Sequence, residues 1–368
     1  MLPESNSVQV VPAGVSFLIC TYNSASRISE TLTCLARQAA DPAIPWEVIL
    51  VDNACTDGTT EKAEAHWREL GTSVPLRLFK EPRPGKNFAV KLAFSQARYQ
   101  YACIVDDDNR LASDYLQIGF DVLQANPQVA IVGGQNTATF EVSPPSWFPL
   151  FQANYAVGIP VYKVGSDIKP LPDGNIGSHI LWGAGMFIRL ELWHKLTQLE
   201  FKSLFAGRQG TKVLTAGEDD ELCYVAQLLG YEVWYWSGLR LEHYMTANRL
   251  TPTYRNRLYY SPVWAASRLG AYRNALLTAN ESNSDTTTHL IKDFLYMSWG
   301  AFRQIVSMRF VRALFIDDKL YLMDCKQQMF TIFNYILDFG NIIGYYKSVD
   351  ELKQKIKKSG LKIGSAMY

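Results

Sequence analysis

The chain has 368 residues, 48% hydrophobic and 19% charged, an ordinary globular composition with room for one large domain or two smaller ones. Its 36 Lys and Arg against 35 Asp and Glu leave a formal net charge of +1, which excludes a nucleic-acid binder working through a strongly basic surface. Cys20, Cys34, Cys55, Cys103, Cys223 and Cys325 form no C-x-x-C pair, so the expectation is reduced thiols rather than a disulfide framework or a zinc site. Met1 to Gly14 lacks the basic-then-apolar order of a signal peptide, and no apolar run reaches the about 18 residues of a spanning helix. A cytoplasmic protein is expected.

Val15 to Cys20 reads as a strand, followed by helix-like spacing of Ile28, Leu32 and Leu35 within Ser24 to Arg37. Trp46 to Val51 is a second strand, the polar stretch Asp52 to Thr59 a loop, and Glu61 to Leu70 a helix. A third strand, Leu76 to Phe79, leads through the Pro/Gly-rich Glu81 to Lys86 into a helix from Asn87 to Arg98. Strands alternating with helices imply parallel pairing with right-handed crossovers, hence a doubly wound sheet.

The fourth strand, Tyr101 to Val105, ends abruptly in Asp106-Asp107-Asp108. Adjacent carboxylates repel one another, so a bound cation is expected to make their company favourable, at the strand ends where open α/β sheets gather ligands. A solvated acidic turn is the plain alternative. Ser113 to Asn126 then reads as a helix and Val129 to Val132 as a strand closed by Gly133-Gly134. Ser143 to Gly177, rich in proline and aromatics, is loop-like and long enough to serve as a binding or lid element, although aromatics that simply pack a loop down are commoner. An apolar strand follows Gly183-Ala184-Gly185, and a helix begins near Gly217-Glu218-Asp219-Asp220-Glu221. Tyr231 to Trp236 and Leu239 to His243 complete the α/β part.

Thr21-Tyr22-Asn23, the run Val51 to Thr59, Asp106-Asp107-Asp108, Gly183-Ala184-Gly185, Gly217-Glu218-Asp219-Asp220 and His243 occur in an order and spacing that resembles the inverting GT-A glycosyltransferases of family 2, across roughly residues 15 to 260. The resemblance implies a Rossmann-like, mostly parallel sheet flanked by helices over 1–253, with a helical C-terminal region over 254–368. It implies that Thr21, Tyr22, Asn23 and Asp52 line the base and ribose of a nucleotide-sugar. Lys86 and Asn87, where the family often has Arg-Asn, would meet ribose or phosphate. Asp106 and Asp108 match the family's D-x-D: Asp106 on the ribose and near the cation, Asp108 on a divalent cation, with Asp107 facing the sugar or a structural partner. His243 would add a ligand, and an imidazole tilts the choice from Mg²⁺ toward Mn²⁺. Asp219 would be the general base, with Glu218 and Asp220 orienting the acceptor or capping the helix; acids in a helix's first turn also suit its dipole without any catalytic role.

The expected activity is transfer from a nucleoside-diphosphate sugar, a UDP-sugar first, to a hydroxyl of a glycan or lipid-linked acceptor in polysaccharide or glycoconjugate synthesis, with no nucleic-acid partner. A nucleotidyltransferase or sugar-nucleotide synthase would show a Gly-rich, basic phosphate loop after the first strand, which Thr21 to Arg27 lacks. A catalytically silent glycan-binding module would lack a metal acid or the base. From Tyr254 onward the pattern is helical and aromatic and ends in the basic tail Lys353 to Lys362. This region is expected to pack on the core, form a homodimer or lie on an anionic membrane surface.

Overall fold

The computed structural model describes residues 11–164, 167–205, 217–279, 286–316, 318–361 and 363–364. Most of the N-terminal stretch read for a signal peptide, and Lys362 of the basic tail, lie outside them. The chain opens with β1 (Val15–Thr21), α1 (Ile28–Ala36), β2 (Trp46–Asp52), α2 (Thr59–Glu69), β3 (Leu76–Lys80), α3 (Lys86–Gln96) and β4 (Tyr101–Val105). The strands lie parallel in the order β3-β2-β1-β4. β1 and β4 are buried along almost their whole length because helices cover both faces of the sheet. Alternate residues feed two cores: Leu18, Ile49 and Ile104 on one face, Phe17, Leu50 and Cys103 on the other. Thr21 lies beside Asp52 and Ile19 beside Val105, so the loops after β1, β2 and β4 open along one sheet edge.

The α/β part continues with β5 (Asn109–Leu111), α4 (Tyr115–Ala125), β6 (Val129–Phe140), α5 (Phe148–Phe151), β7 (Val161–Val164), β8 (Asp167–Pro170), β9 (Gly174–Asn175), β10 (Phe187–Arg189), α6 (Leu190–Gln198), α7 (Glu218–Leu228) and β11 (Glu232–Met245). The nine-stranded sheet runs β3-β2-β1-β4-β10-β6-β11-β5, with β9 paired to β11. β10 enters antiparallel between β4 and β6. A mostly parallel sheet with flanking helices and a helical C-terminal region is the architecture expected from the sequence.

Two sequence boundaries move. β6 does not stop at Gly133-Gly134 but runs on to Phe140, because the bare Gly134 lets the Leu239 backbone of β11 approach where any Cβ would collide with its carbonyl. Tyr231 to Trp236 and Leu239 to His243 belong to one long strand, β11, with a register shift between Tyr235 and Arg240. In the loop-rich region, Phe148, Phe151 and Tyr155 pack into an apolar cluster with Met245, Leu250 and Tyr259, so its aromatics serve to hold the loop down.

Five helices follow: α8 (Pro252–Leu277), α9 (Thr286–Ile305), α10 (Met308–Ile316), α11 (Lys319–Leu337) and α12 (Phe339–Lys358). Thr251 caps α8 by accepting from the Tyr254 amide, and Pro252 occupies the first turn, where no N–H is needed. α8 packs on α7, and its Leu269, Tyr272 and Leu276 share a core with Leu18 and Ile49 of the sheet. α12 packs on α8 through Ile342, Tyr346, Val349, Leu352 and Ile356. Among the described residues no helix is long and apolar enough to cross a membrane.

Candidate active site

The loops at that sheet edge, the turn after α5, the 180–184 segment, the start of α7 and the first turns of α8 enclose a cleft of about 790 Å³. Thr21, Tyr22, Lys86, Asp106, Asp107, Asp108, Asp219, Asp220 and His243 all line it. Segments far apart in sequence, 106–108 and 219–220, therefore face one cavity.

Each of the three consecutive acids has its own cation, which corrects the expectation that only a bound ion could offset their repulsion. Lys86 Nζ lies 2.7 Å from Asp106 Oδ1, Arg27 Nε 2.8 Å from Asp107 Oδ1, and Arg249 Nη2 2.8 Å from Asp108 Oδ2. Thr21 Oγ1 also donates to Asp107 Oδ2 at 2.7 Å, so Asp107 binds β1 and α1 to β4. Burial works against ionisation of all three. Even so, with the Lys86 ammonium beside Asp106 and the Arg249 guanidinium beside Asp108, both carboxyls are held below the ordinary range. At Asp107 burial and the neighbouring Asp108 prevail over Arg27 and push its carboxyl up.

β11 brings His243 opposite Asn109, in the antiparallel pairing with β5. Its Nδ1 lies 3.0 Å from the Tyr155 carbonyl and must donate to it. Nε2, 3.0 Å from Arg249 Nη1, must accept, since a guanidinium only donates. The imidazole is therefore oriented with its Nε2 lone pair toward the cleft, the tautomer a metal ligand needs. Asp108 Oδ1 is 3.4 Å from that nitrogen. A carboxylate and an imidazole converging in this way are a donor set suited to Mn²⁺ or Mg²⁺, and here both meet the Arg249 guanidinium. No third His, Cys, Asp or Glu joins them among the described residues; Asp106 is turned to Lys86 instead.

The second acid cluster opens α7. Gly217, the residue before the helix, has φ +126°, which favours glycine, and a side chain there would strike Phe205. Asp219 Oδ2 accepts from the Gly183 amide at 3.1 Å. Gly183 is required by contact: a Cβ there would land on the Asp219 carboxylate. Asp220 is pushed up to about 7 by burial, with Asp219 and Glu218 adding to it and Arg273 opposing. Glu221 is likewise raised to about 7 by burial, and it accepts from the Leu204 amide and the Tyr272 hydroxyl, both at 2.7 Å, and from Ser203. Glu221 thus joins α7 to α8 and to the 203–205 segment.

Asn23, Asp52, Asn87 and Glu218 are not among the described residues lining the cleft. Asn23, at φ 49°, accepts from the Thr56 amide at 2.8 Å, and both Asp52 oxygens are taken up locally, by the Cys55 amide and the Thr60 hydroxyl, each at 2.7 Å. Next to Asp52, Asn53 does line the cleft and bonds the backbone of Glu81, Arg83 and Gly85, fixing the loop that presents Lys86. Sequence reasoning missed Arg27 and Arg249. Their only signal was an Arg four residues after Asn23 and another six after His243; the second gains meaning once β5, directly after the acids, pairs with β11.

Residues 16–185 match the model of the glycosyl transferase family 2. Over these residues the chain is similar to that family. It is 28% identical over 127 residues to Escherichia coli chondroitin synthase, covering 34% of this chain and 18% of that protein. It is 32% identical over 102 residues to the Staphylococcus aureus poly(ribitol-phosphate) beta-N-acetylglucosaminyltransferase TarS, covering 28% and 17%. The matched segments thus span under a fifth of these relatives' lengths. Among solved structures, a mannosyltransferase from Pyrobaculum calidifontis in complex with GDP-Man and Mn2+ is 19% identical, with 88% of each chain covered and a TM-score of 0.47. TarS in complex with UDP is 16% identical, covering 88% of this chain and 91% of that one, with a TM-score of 0.42.

Proposed function

We propose that the protein is an inverting, metal-dependent glycosyltransferase that moves a sugar from a nucleoside-diphosphate donor, a UDP-sugar first among them, to a hydroxyl of a glycan or lipid-linked acceptor. The observation that carries this reading is the meeting of Asp106, Asp108 and His243 with Asp219 in one cleft, in a chain whose residues 16–185 match the glycosyl transferase family 2 model. Tyr22, exposed at the end of β1, and Asn53 offer a face for the base and ribose, and Lys86 a charge for the phosphates. Asp108 and His243 would hold the divalent cation, whose chemistry is to neutralise the negative charge growing on the diphosphate. Arg249, the cation of that pocket in this structure, is placed to add to the same neutralisation.

An acceptor hydroxyl is a weak nucleophile at neutral pH, so a carboxylate has to take its proton. Asp219 fits: the Gly183 amide fixes one oxygen, and the residue lines the cleft from α7 rather than from β4. As the hydroxyl oxygen bonds the anomeric carbon, the bond to the diphosphate breaks on the opposite face, and the configuration inverts. Asp220 is the second reading for the base, because burial poises its carboxyl near 7. The names of the two curated relatives favour a polymer as acceptor. The test is release of nucleoside diphosphate from a panel of nucleotide-sugars with Mn²⁺ or Mg²⁺. Turnover of at least one donor that ceases in EDTA is expected; full turnover in EDTA would remove the metal role, and no donor turned over would remove the activity.

A further inference from the structure

The C-terminal helices carry an apolar surface that the cleft does not use. On α9 and the residue that follows it, Ile291, Leu295, Trp299, Phe302 and Val306 are all exposed, Trp299 by 60%. At about 100° per residue they fall within an arc of roughly 80°. The buried Leu290 and Ala301 lie on the opposite side, toward α11 and α12. Just beyond the stripe, on one flank, stand exposed Tyr296, Lys292 and Arg303. α10 continues the pattern, with Phe315 85% exposed and Arg309 and Arg312 exposed on the same short helix. Singly exposed apolar residues are ordinary, but a contiguous stripe of this length, aromatic and edged by cations, calls for an occupant.

We propose that this α9–α10 face docks on an anionic membrane surface, with Trp299, Phe302 and Leu295 entering the acyl boundary and Lys292, Arg303, Arg309 and Arg312 meeting lipid phosphates. Charge selects this occupant. On α9 and α10 those four cations stand against Asp293, and Asp318, after α10, is the cap of α11. A second copy seated on the same face would set cation against cation, whereas a bilayer bearing anionic headgroups complements them. Long basic side chains beside an apolar stripe can keep their stems on it while the charge reaches the headgroups.

This places the contact away from the basic tail. Lys353 is buried and donates to the Thr278 carbonyl, and Lys355 donates to the Leu199 carbonyl at 2.9 Å, so both serve the packing of α12. The tail expected to lie on a membrane is, over these residues, a structural helix.

The experiment is sedimentation of the full chain with vesicles of phosphatidylcholine alone or with about a third phosphatidylglycerol, alongside light scattering and donor hydrolysis. Binding to the anionic vesicles alone is expected, weakened by salt. Leu295→Glu/Trp299→Glu should abolish it, and Lys292→Gln/Arg303→Gln should weaken it by about fivefold per cation. Lys357→Gln/Lys358→Gln in the tail should leave it unchanged. All these positions are exposed, so folding and donor hydrolysis should persist, which separates failure here from failure of the glycosyltransferase reading. No binding by the parent chain, or equal binding by Leu295→Glu/Trp299→Glu, would overturn the proposal. So would a dimer that this double variant converts to monomer with no vesicle binding in either form, since the face would then join two copies.

Discussion

The chain holds two runs of consecutive acids, 106–108 and 218–221, and the fold treats them in opposite ways. After β4, Asp106, Asp107 and Asp108 receive Lys86, Arg27 and Arg249, one cation each, and Asp106 and Asp108 stay ionised despite burial. At the start of α7, half-buried Asp220 and buried Glu221 have no such ion pair among the described residues, and both rise to about 7. Composition is alike and environment is not. The first run can hold fixed negative charge toward a cation, while the second keeps carboxyls able to take and give a proton near neutrality. The fold brings both runs to one cleft.

The comparison is broken most severely at Asp108. Asp108→Asn keeps the shape, removes the charge that Arg249 and His243 share, and should lower turnover by about 10²–10³-fold, as loss of a preorganised electrostatic partner does. It should also cost about 1–3 kcal/mol of stability by leaving Arg249 with a weaker acceptor. Calorimetric titration should show weakened Mn²⁺ binding in the presence of nucleoside diphosphate; unchanged metal binding would remove Asp108 from the metal shell.

Next is the base. Asp219→Asn should lose at least about a hundredfold in kcat while binding donor with near-normal affinity, because the donor contacts lie on the β1–β4 side. Asp220→Asn should lose much less. The reverse order would make Asp220 the base, and full activity in both would reduce the cluster to a helix terminus.

Gly183→Ala probes the same carboxylate from its neighbour. The added methyl meets Asp219, so displacing it should cost about 10- to 100-fold in kcat. In an Asp219→Asn background the same change should cost little more; a full additional loss would mean that Gly183 acts elsewhere.

The smallest effect is on stability against pH. The folded protein keeps protons on Asp220 and Glu221 up to about 7, whereas the ordinary values are 3.8 and 4.5. Between about pH 4 and 7 the unfolded chain has released protons that the folded chain still holds. Stability from these groups is therefore present below that window and lost as pH rises through it, levelling above 7. Asp220→Asn removes one of the two contributions and should raise Tm by several degrees at pH 8, the gain shrinking toward pH 5. A constant gain at both pH values would show that Asp220 does not titrate in this way.

Local pattern determined a good deal by itself. Apolar runs of strand length, separated by helix-spaced segments, place β1 to β4 and the helices between them, because strands buried on both faces are mostly apolar on both. Acids directly after an apolar strand mark the ligand edge of the sheet for the same reason. The order of Thr21, the triple acid, the Gly-Glu-Asp segment and His243 marked residues that do share a cleft. What only the tertiary structure decided is which charges meet. Arg27, Lys86 and Arg249 lie 80, 20 and 141 residues from their acids, distances that carry no local signal. The continuation of β6 through two glycines likewise depends on a backbone arriving from β11, more than a hundred positions away. Asp52 and Asp108 look equally exposed as strand-end acids in the sequence. One is spent on its own turn and the other faces the cleft, where Arg249 reaches it from beyond β11, a meeting that only the tertiary fold sets.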